Sequence, residues 1–296
     1  MTSQPESHYY HSARLRLHYC HWPNPGKPPL LLVHGGEDHS RNWDRVVERL
    51  HPDFDIVAPD LRGHGDSQWV DGAAYTVSGF VLDLANLVAH LGWERFSLIG
   101  HSLGGALVLK YTALFPDTVK RVVAIEGLGP APDLLAEMVA KNGVERLREW
   151  VDGAQQSARR EGAQYESLQQ ATERMMRKNT HLSADWAGHL CRHASQRQEN
   201  GRYRWKHDPL LRNMPLFDIT PEQTHQMWRA IPCPVLLMRG EDSWASNPAT
   251  DGRADFFSDA TVANIAGAGH WVHHDQLDAF MNAVTPFLLD EQQPDH

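Results

Sequence analysis

The chain has 296 residues, enough for one large domain or two small ones at roughly 100 to 200 residues each. With 41% hydrophobic and 22% charged residues it has the make-up of a packed globular protein, not a disordered or fibrous one. Lys plus Arg number 28 against 37 Asp plus Glu, a net charge of -9 that repels phosphate backbones and anionic lipid, so neither nucleic acid nor a membrane is an expected partner.

The N-terminal MTSQPESHYY has no basic region leading into an apolar run, and no stretch approaches the roughly 20 apolar residues of a bilayer span. A cytoplasmic location is the expectation. Residues 14–21 alternate like a half-exposed strand, and the Pro-rich WPNPGKPP after them reads as a turn. Short apolar runs follow at 30–33, 56–58, 96–99 and 122–125, the signature of central parallel strands covered on both faces. Helical spacing occupies 77–91 and 103–114. Strand and helix alternate, so the expected fold class is α/β, a mostly parallel central sheet with helices on both faces.

From 127 to 230 the strand runs stop, and the chain turns polar, Gln- and Arg-rich and helical in pattern. Strand character returns at 235–238 and, more weakly, at 261–265, before a closing helix at 275–289. The expected organisation is a core of residues 1–126 and 231–296 interrupted by a helical lid of residues 127–230. Cys20, Cys191 and Cys233 are scattered, without disulfide or metal spacing, and read as buried thiols. The 19 histidines read as single residues or pairs such as His273-His274, without a His-x3-His ladder, so no metal site is expected.

The strongest chemical signal is Gly100-His101-Ser102-Leu103-Gly104, a G-x-S-x-G set between an apolar strand run and a helical pattern. A serine on such a tight turn is held in strained backbone geometry above the sheet, and small neighbours two positions either side avoid collisions. Ser102 is therefore the candidate nucleophile. Serine alone is a poor nucleophile and needs a base with a third group to orient it. His270, in the glycine-rich Gly267-Ala268-Gly269-His270 near the C-terminus, is the candidate base; His273 and His274 read as surface or capping residues. An oxyanion needs two backbone donors, one following the nucleophile and one from the loop after an earlier strand. Leu103 and Gly36, the latter in His34-Gly35-Gly36, meet that description. Glu37, Asp38 and His39 read as a polar loop tip.

HGG at 34–36, Trp43, APDLRGHGDS at 58–67, GHSLGG at 100–105 and GAGHW at 267–271 together resemble the α/β-hydrolase superfamily, in particular its lidded esterase-like members. The resemblance covers both core segments and is weak over 127–230. It implies that Asp60, Gly63 and Gly65 shape a loop beside the site, and that the acid follows one of two strands. Glu126 ends the run at 122–125, in the manner of haloalkane dehalogenases and some lactone hydrolases. Asp242 stands after the run at 235–238 but departs from the family pattern, because the slot three positions after the glycine holds Ser243. Position favours Glu126, with Asp242 the alternative. A carboxylate at the mouth of a core strand carries a desolvation cost that pairing with a histidine offsets.

The expectation is a serine hydrolase acting on a carboxylic ester of a small apolar molecule, without a cofactor. Lactones, amides, carbon-carbon bonds and peracid formation suit the same residues, and a non-catalytic binding protein is the remaining rival. An epoxide hydrolase or haloalkane dehalogenase requires a carboxylate where Ser102 stands. Trp43, Trp205, Trp244 and Trp271 are candidate pocket residues, and Met175-Met176 candidate lid core.

Overall fold

A computed structural model describes residues 4–72, 75–159, 162–214 and 219–290; the first three residues of the N-terminal stretch read above lie outside it. The first half of the chain runs β1 (Glu6–Ser12), β2 (Leu15–Trp22), β3 (Pro29–Val33), α1 (Asp44–Leu50), β4 (Asp55–Pro59), α2 (Val77–Leu91), β5 (Phe96–His101), α3 (Leu103–Leu114) and β6 (Val119–Ile125). Then come α4 (Pro132–Ala140), α5 (Gly143–Arg159), β7 (Gln164–Tyr165), α6 (Leu168–Lys178), α7 (Ala184–Ala194), β8 (Ser195–Arg197), β9 (Tyr203–Trp205) and α8 (Pro221–Arg229). The chain closes with β10 (Val235–Gly240), β11 (Ala260–Ile265), α9 (Val272–Asp275) and α10 (Leu277–Leu289).

Eight strands form one sheet in the order β1-β2-β4-β3-β5-β6-β10-β11, with β2 antiparallel to both its neighbours and the other pairs parallel. The α/β class expected from the sequence is the class observed. Alternation along the strands divides the core into two layers. Leu31, Val33, Leu98 and Val122 face α2 and α3, while Leu30, Leu32, Ile99 and Val123 face α1 and α10. Each such side chain contributes about 1.5–3 kcal/mol on burial, which is why the apolar runs are continuous. The ends of α2 are set by the Thr76 side chain, which accepts from Gly79 N–H, and by Gly92 in the left-handed conformation.

The segment between β6 and β10 is not wholly helical. It holds a small antiparallel sheet, β7-β9-β8, whose strands of two or three residues are too short to show a period of two. Its last helix, α8, joins the core layer through Trp228, which stacks on Phe257 with ring centroids 5.4 Å apart. Leu182, Trp186, Ala187 and Leu190 form a separate cluster, with Met175, Met176 and Trp271 packed against it. Strand β1 was also not legible, because its residues ESHYYHS bury only Tyr10 and Ser12 at the sheet edge. No helix among the described residues is long and apolar enough to cross a membrane.

Candidate active site

Three parallel strands deliver their C-terminal ends to one place. Ser102 follows β5 with φ 52° and ψ -114°, an unfavourable backbone for a residue with a Cβ. Its N–H donates to Ile125 O at 2.8 Å and its carbonyl accepts from Ala106 at 3.0 Å, so the turn is held from the neighbouring strand and from its own helix. The turn leaves almost no room: a Cβ on Gly104 would collide with the carbonyls of Val33 and His34, and one on Gly105 would come within 2.7 Å of Gly127 Cα. Glycine at these positions is what lets α3 start directly against the strand ends.

Glu126 follows β6 and is also left-handed, at φ 49°. Its N–H donates to Met238 O at 2.9 Å, which fixes the backbone between β6 and β10. The carboxylate is fully buried and accepts three hydrogen bonds: from Gly240 N–H at 2.9 Å, from Ser243 O–H at 2.6 Å and from His270 Nδ1 at 2.6 Å. Charge-assisted bonds of this length are the strong ones, and they compensate the loss of water around a buried anion. Sequence spacing gave no sign of the Ser243 contact. That serine occupies the slot where the family resemblance expects an acid, and its hydroxyl reaches Glu126 instead.

Asp242 does not meet His270. It is exposed, its carboxylate has no hydrogen-bond partner among the described residues, and its contribution is a backbone N–H donated to Ala268 O at 2.9 Å. That bond helps hold the loop carrying His270. Two more hold it: His101 Nε2 donates to the His270 carbonyl at 2.9 Å, and Gly269 N–H to Asp275 at 2.9 Å. Burial, reinforced by His273 and His270, keeps His101 well below the usual histidine range, so it is a neutral ring. His270 itself is partly exposed, with Trp244 beside it at a ring separation of 5.1 Å. No hydrogen bond joins Ser102 Oγ to His270 among the described residues; catalytic hydrogen bonds often tighten only when substrate is present.

The loop after β3 runs past the serine, since a Cβ on Gly35 would lie 3.2 Å from Ser102 Cβ. Gly36 is exposed, and Leu103 is the first residue of α3, where helix geometry leaves the N–H without an internal acceptor. The polar tip expected at 37–39 is a correction. Asp38 and His39 are buried, and burial pushes the Asp38 carboxyl up to about 7 against hydrogen bonds from Asn42 and the His39 N–H. Glu37 alone reaches outward, paired with Arg212 at 2.5 and 3.0 Å. Asp60 is buried; desolvation is outweighed by His18, whose hydrogen bond and charge hold the carboxyl far below the usual range. It accepts from Ser40 and Asp66 N–H groups and so knits the loops together.

Two further readings need correction. His273 and His274 are buried, not on the surface: His273 stacks on Trp43 at 4.6 Å, and His274 Nδ1 accepts from Trp186 Nε1 at 3.0 Å. The histidines do include a His-x3-His pair, His189 and His193, which the helix α7 carries on one face. Of the four candidate pocket tryptophans, Trp205 and Trp271 line a cleft of about 1110 Å³ that also touches Gly36, Met175, Lys178 and Arg212. Trp43 is core, and Trp244 is 68% exposed. Cys20, Cys191 and Cys233 are buried free thiols.

A family model for the alpha/beta hydrolase fold matches residues 28–277. A serine hydrolase-like protein of Danio rerio is 28% identical over 281 residues, spanning 92% of this chain and 84% of that protein. Serine hydrolase-like protein 2 of Homo sapiens is 32% identical over 167 residues, 55% of this chain and 52% of its own length. Among solved structures, a thioesterase domain from the curacin biosynthetic pathway superposes with a TM-score of 0.84 at 22% identity, covering 96% of this chain and all (100%) of that one. An esterase from Mycobacterium tuberculosis gives a TM-score of 0.72 at 22% identity, covering 96% of this chain and 90% of that one. At those identities the two structural likenesses speak to the fold.

Proposed function

The chain belongs to the alpha/beta hydrolase family, and on that premise we propose that it is a serine hydrolase cleaving carboxylic esters through an acyl-enzyme on Ser102. The observation that carries this reading is the buried Glu126 carboxylate bonded to His270 Nδ1 at 2.6 Å. An acceptor there keeps the proton on Nδ1 and leaves Nε2 as the base. His270 then takes the Ser102 proton as Oγ attacks the carbonyl carbon. The N–H groups of Gly36 and Leu103 receive the oxyanion. As the tetrahedral intermediate collapses, the imidazolium gives its proton to the departing alcohol, and Glu126 stabilises the cation in between. Water repeats the cycle on the acyl-enzyme, releasing the acid and restoring Ser102.

The cleft is not lined by Ser102 or His270 and meets the site at Gly36 and at Trp271, the neighbour of His270; its mixed lining, Trp205 and Trp271 with Lys178 and the Glu37–Arg212 pair, supports a substrate with both an apolar and a polar portion. A panel of p-nitrophenyl esters of rising chain length, thioesters, lactones and anilides tests the proposal on the full chain. Ester turnover abolished by Ser102→Ala is the expected outcome. Turnover confined to lactones or anilides would replace the ester assignment, and turnover retained in Ser102→Ala would remove the nucleophile.

A further inference from the structure

The pair His189 and His193 has no part in the proposed mechanism. Four residues apart on α7, the two imidazoles share one helix face, with ring centroids 4.8 Å apart. Facing them from α1 is Asp44. One ligand atom each from Asp44, His189 and His193 fall within 4.8 Å of one another. Two imidazoles at helical spacing and a carboxylate from another element make a chelate for a first-row divalent ion.

We propose that Asp44, His189 and His193 form a divalent transition-metal site, of the zinc-binding class, that ties the inserted helix α7 to the core helix α1. Around a tetrahedral zinc ion with bonds of about 2.0–2.1 Å, ligand atoms stand roughly 3.4 Å apart. Asp44 Oδ2 and His189 Nε2 are 3.0 Å apart, so rotamer adjustments of the order of an ångström bring the set together. Despite that distance His189 Nε2 has no hydrogen-bond partner among the described residues, which leaves its lone pair available to an ion.

Partners outside the three ligands are in place. Trp186 stacks on His189 at 4.4 Å and 7°, which orients the ring, and the Arg45 guanidinium lies over the Trp186 ring at 4.3 Å. Arg41 holds the Asp44 carboxylate through Nε and Nη2, at 2.7 to 3.0 Å. Such outer contacts fix a ligand's orientation. Arg41 also draws on the carboxylate's charge, which sets the expected affinity below that of an all-protein cage. Entry is open: Asp44 and His189 line a surface cavity of about 820 Å³ together with Glu48, whose carboxylate lies one turn further along α1. The cavity also contains Arg41 and Arg45, so a substrate-sized cation is a poor fit and a small ion with strong ligand bonds a better one.

Two other clusters could take the same ion. His18, Asp60 and Asp66 are one, but both ring nitrogens of His18 are already hydrogen-bonded, to Ser7 and to Asp60 at 2.8 Å each, whereas His189 Nε2 has no hydrogen-bond partner among the described residues. Glu6, His8 and His21 on the edge strands are the other. The test is competition for Zn²⁺ between the full chain, freed of any affinity tag and treated with chelator, and a chromophoric chelator at neutral pH. One ion per chain is expected, with affinity at least about tenfold weaker in His193→Ala and in the shape-conserving Asp44→Asn, and unchanged in His21→Ala. Thermal unfolding should rise with zinc for the wild type and not for Asp44→Asn, because an ion bound only to the folded state stabilises it. Binding unchanged in both His193→Ala and Asp44→Asn, binding lost instead in His21→Ala, or no competition at all would each overturn the site.

Discussion

The sheet core and the segment inserted between β6 and β10 obey different rules. In the core, strands such as β5 bury every residue, and the helices on each side close over them. In the insertion, α4 has no buried residue and α5 has only Ser157, while Val144 and Leu147 stand 70% and 62% exposed. A core covered on two faces constrains each side chain and each backbone turn. An element covered on one side constrains few. The residues proposed for chemistry sit at strand ends of the first region or on the loops that follow them, where backbone strain at Ser102 and Glu126 can be held by packing.

That contrast can be broken in several ways. The largest expected effect is Ser102→Ala, which should lower turnover by roughly six orders of magnitude, as loss of a serine nucleophile does elsewhere; steady-state kinetics with a p-nitrophenyl ester measures it. Glu126→Gln keeps the volume but removes the charge and disturbs the tautomer, and should cost about 10⁴ in turnover. Asp242→Asn, on an exposed carboxylate, should stay within a fewfold of wild type. Circular dichroism on both variants separates chemistry from folding.

Acid should destabilise the whole molecule. His34, His39, His64, His101, His193, His273 and His274 are all held below the ordinary histidine range by burial, His39 to about 3 and His193 to about 4. Below the unfolded histidine value of about 6.5 the unfolded chain takes up protons that the folded one refuses, so stability falls as pH falls. Asp38, raised to about 7, and Asp275, also raised by burial, work the other way as the pH drops, but they are two groups against these seven histidines. Urea unfolding at pH 7.5 and 5 should differ by several kcal/mol in that direction; equal stabilities would mean that the histidines are not kept neutral.

Next in size is a direct comparison of the two regions. Leu98→Ala, at a fully buried strand position, should cost about 2–5 kcal/mol, and Val144→Ser on the exposed face of α5 no more than about 0.5 kcal/mol. A large loss in the second would show that α5 is covered in solution. Ser243→Ala is the mildest change expected within the buried polar cluster. Glu126 would keep two of its three donors, and turnover should drop about tenfold, the equivalent of one charge-assisted hydrogen bond.

The same contrast decides what the sequence disclosed. Runs buried on both faces announced the parallel strands, and G-x-S-x-G between a run and a helix pointed to Ser102. Glu126 and Asp242 stood at equivalent strand ends in sequence, and only a contact between residues 126 and 270 separates them. Ser243 reaching Glu126 is likewise a contact across more than a hundred residues that no local pattern encodes. Polar residues misled where they are buried: His273, His274, Asp38 and His39 read as surface because burial of such groups depends on partners supplied by distant elements. The His-x3-His spacing at 189 and 193 was visible in the sequence. Its third ligand, from α1, was not.

Whether Ser102 is a nucleophile activated through His270 by Glu126 can be read from the rate and position of labelling with a fluorophosphonate. One adduct per chain is expected, on the peptide containing Ser102, absent from Ser102→Ala, formed much more slowly in Glu126→Gln and at near wild-type speed in Asp242→Asn. Undiminished labelling of Ser102→Ala, or slow labelling of Asp242→Asn beside normal labelling of Glu126→Gln, would contradict that activation.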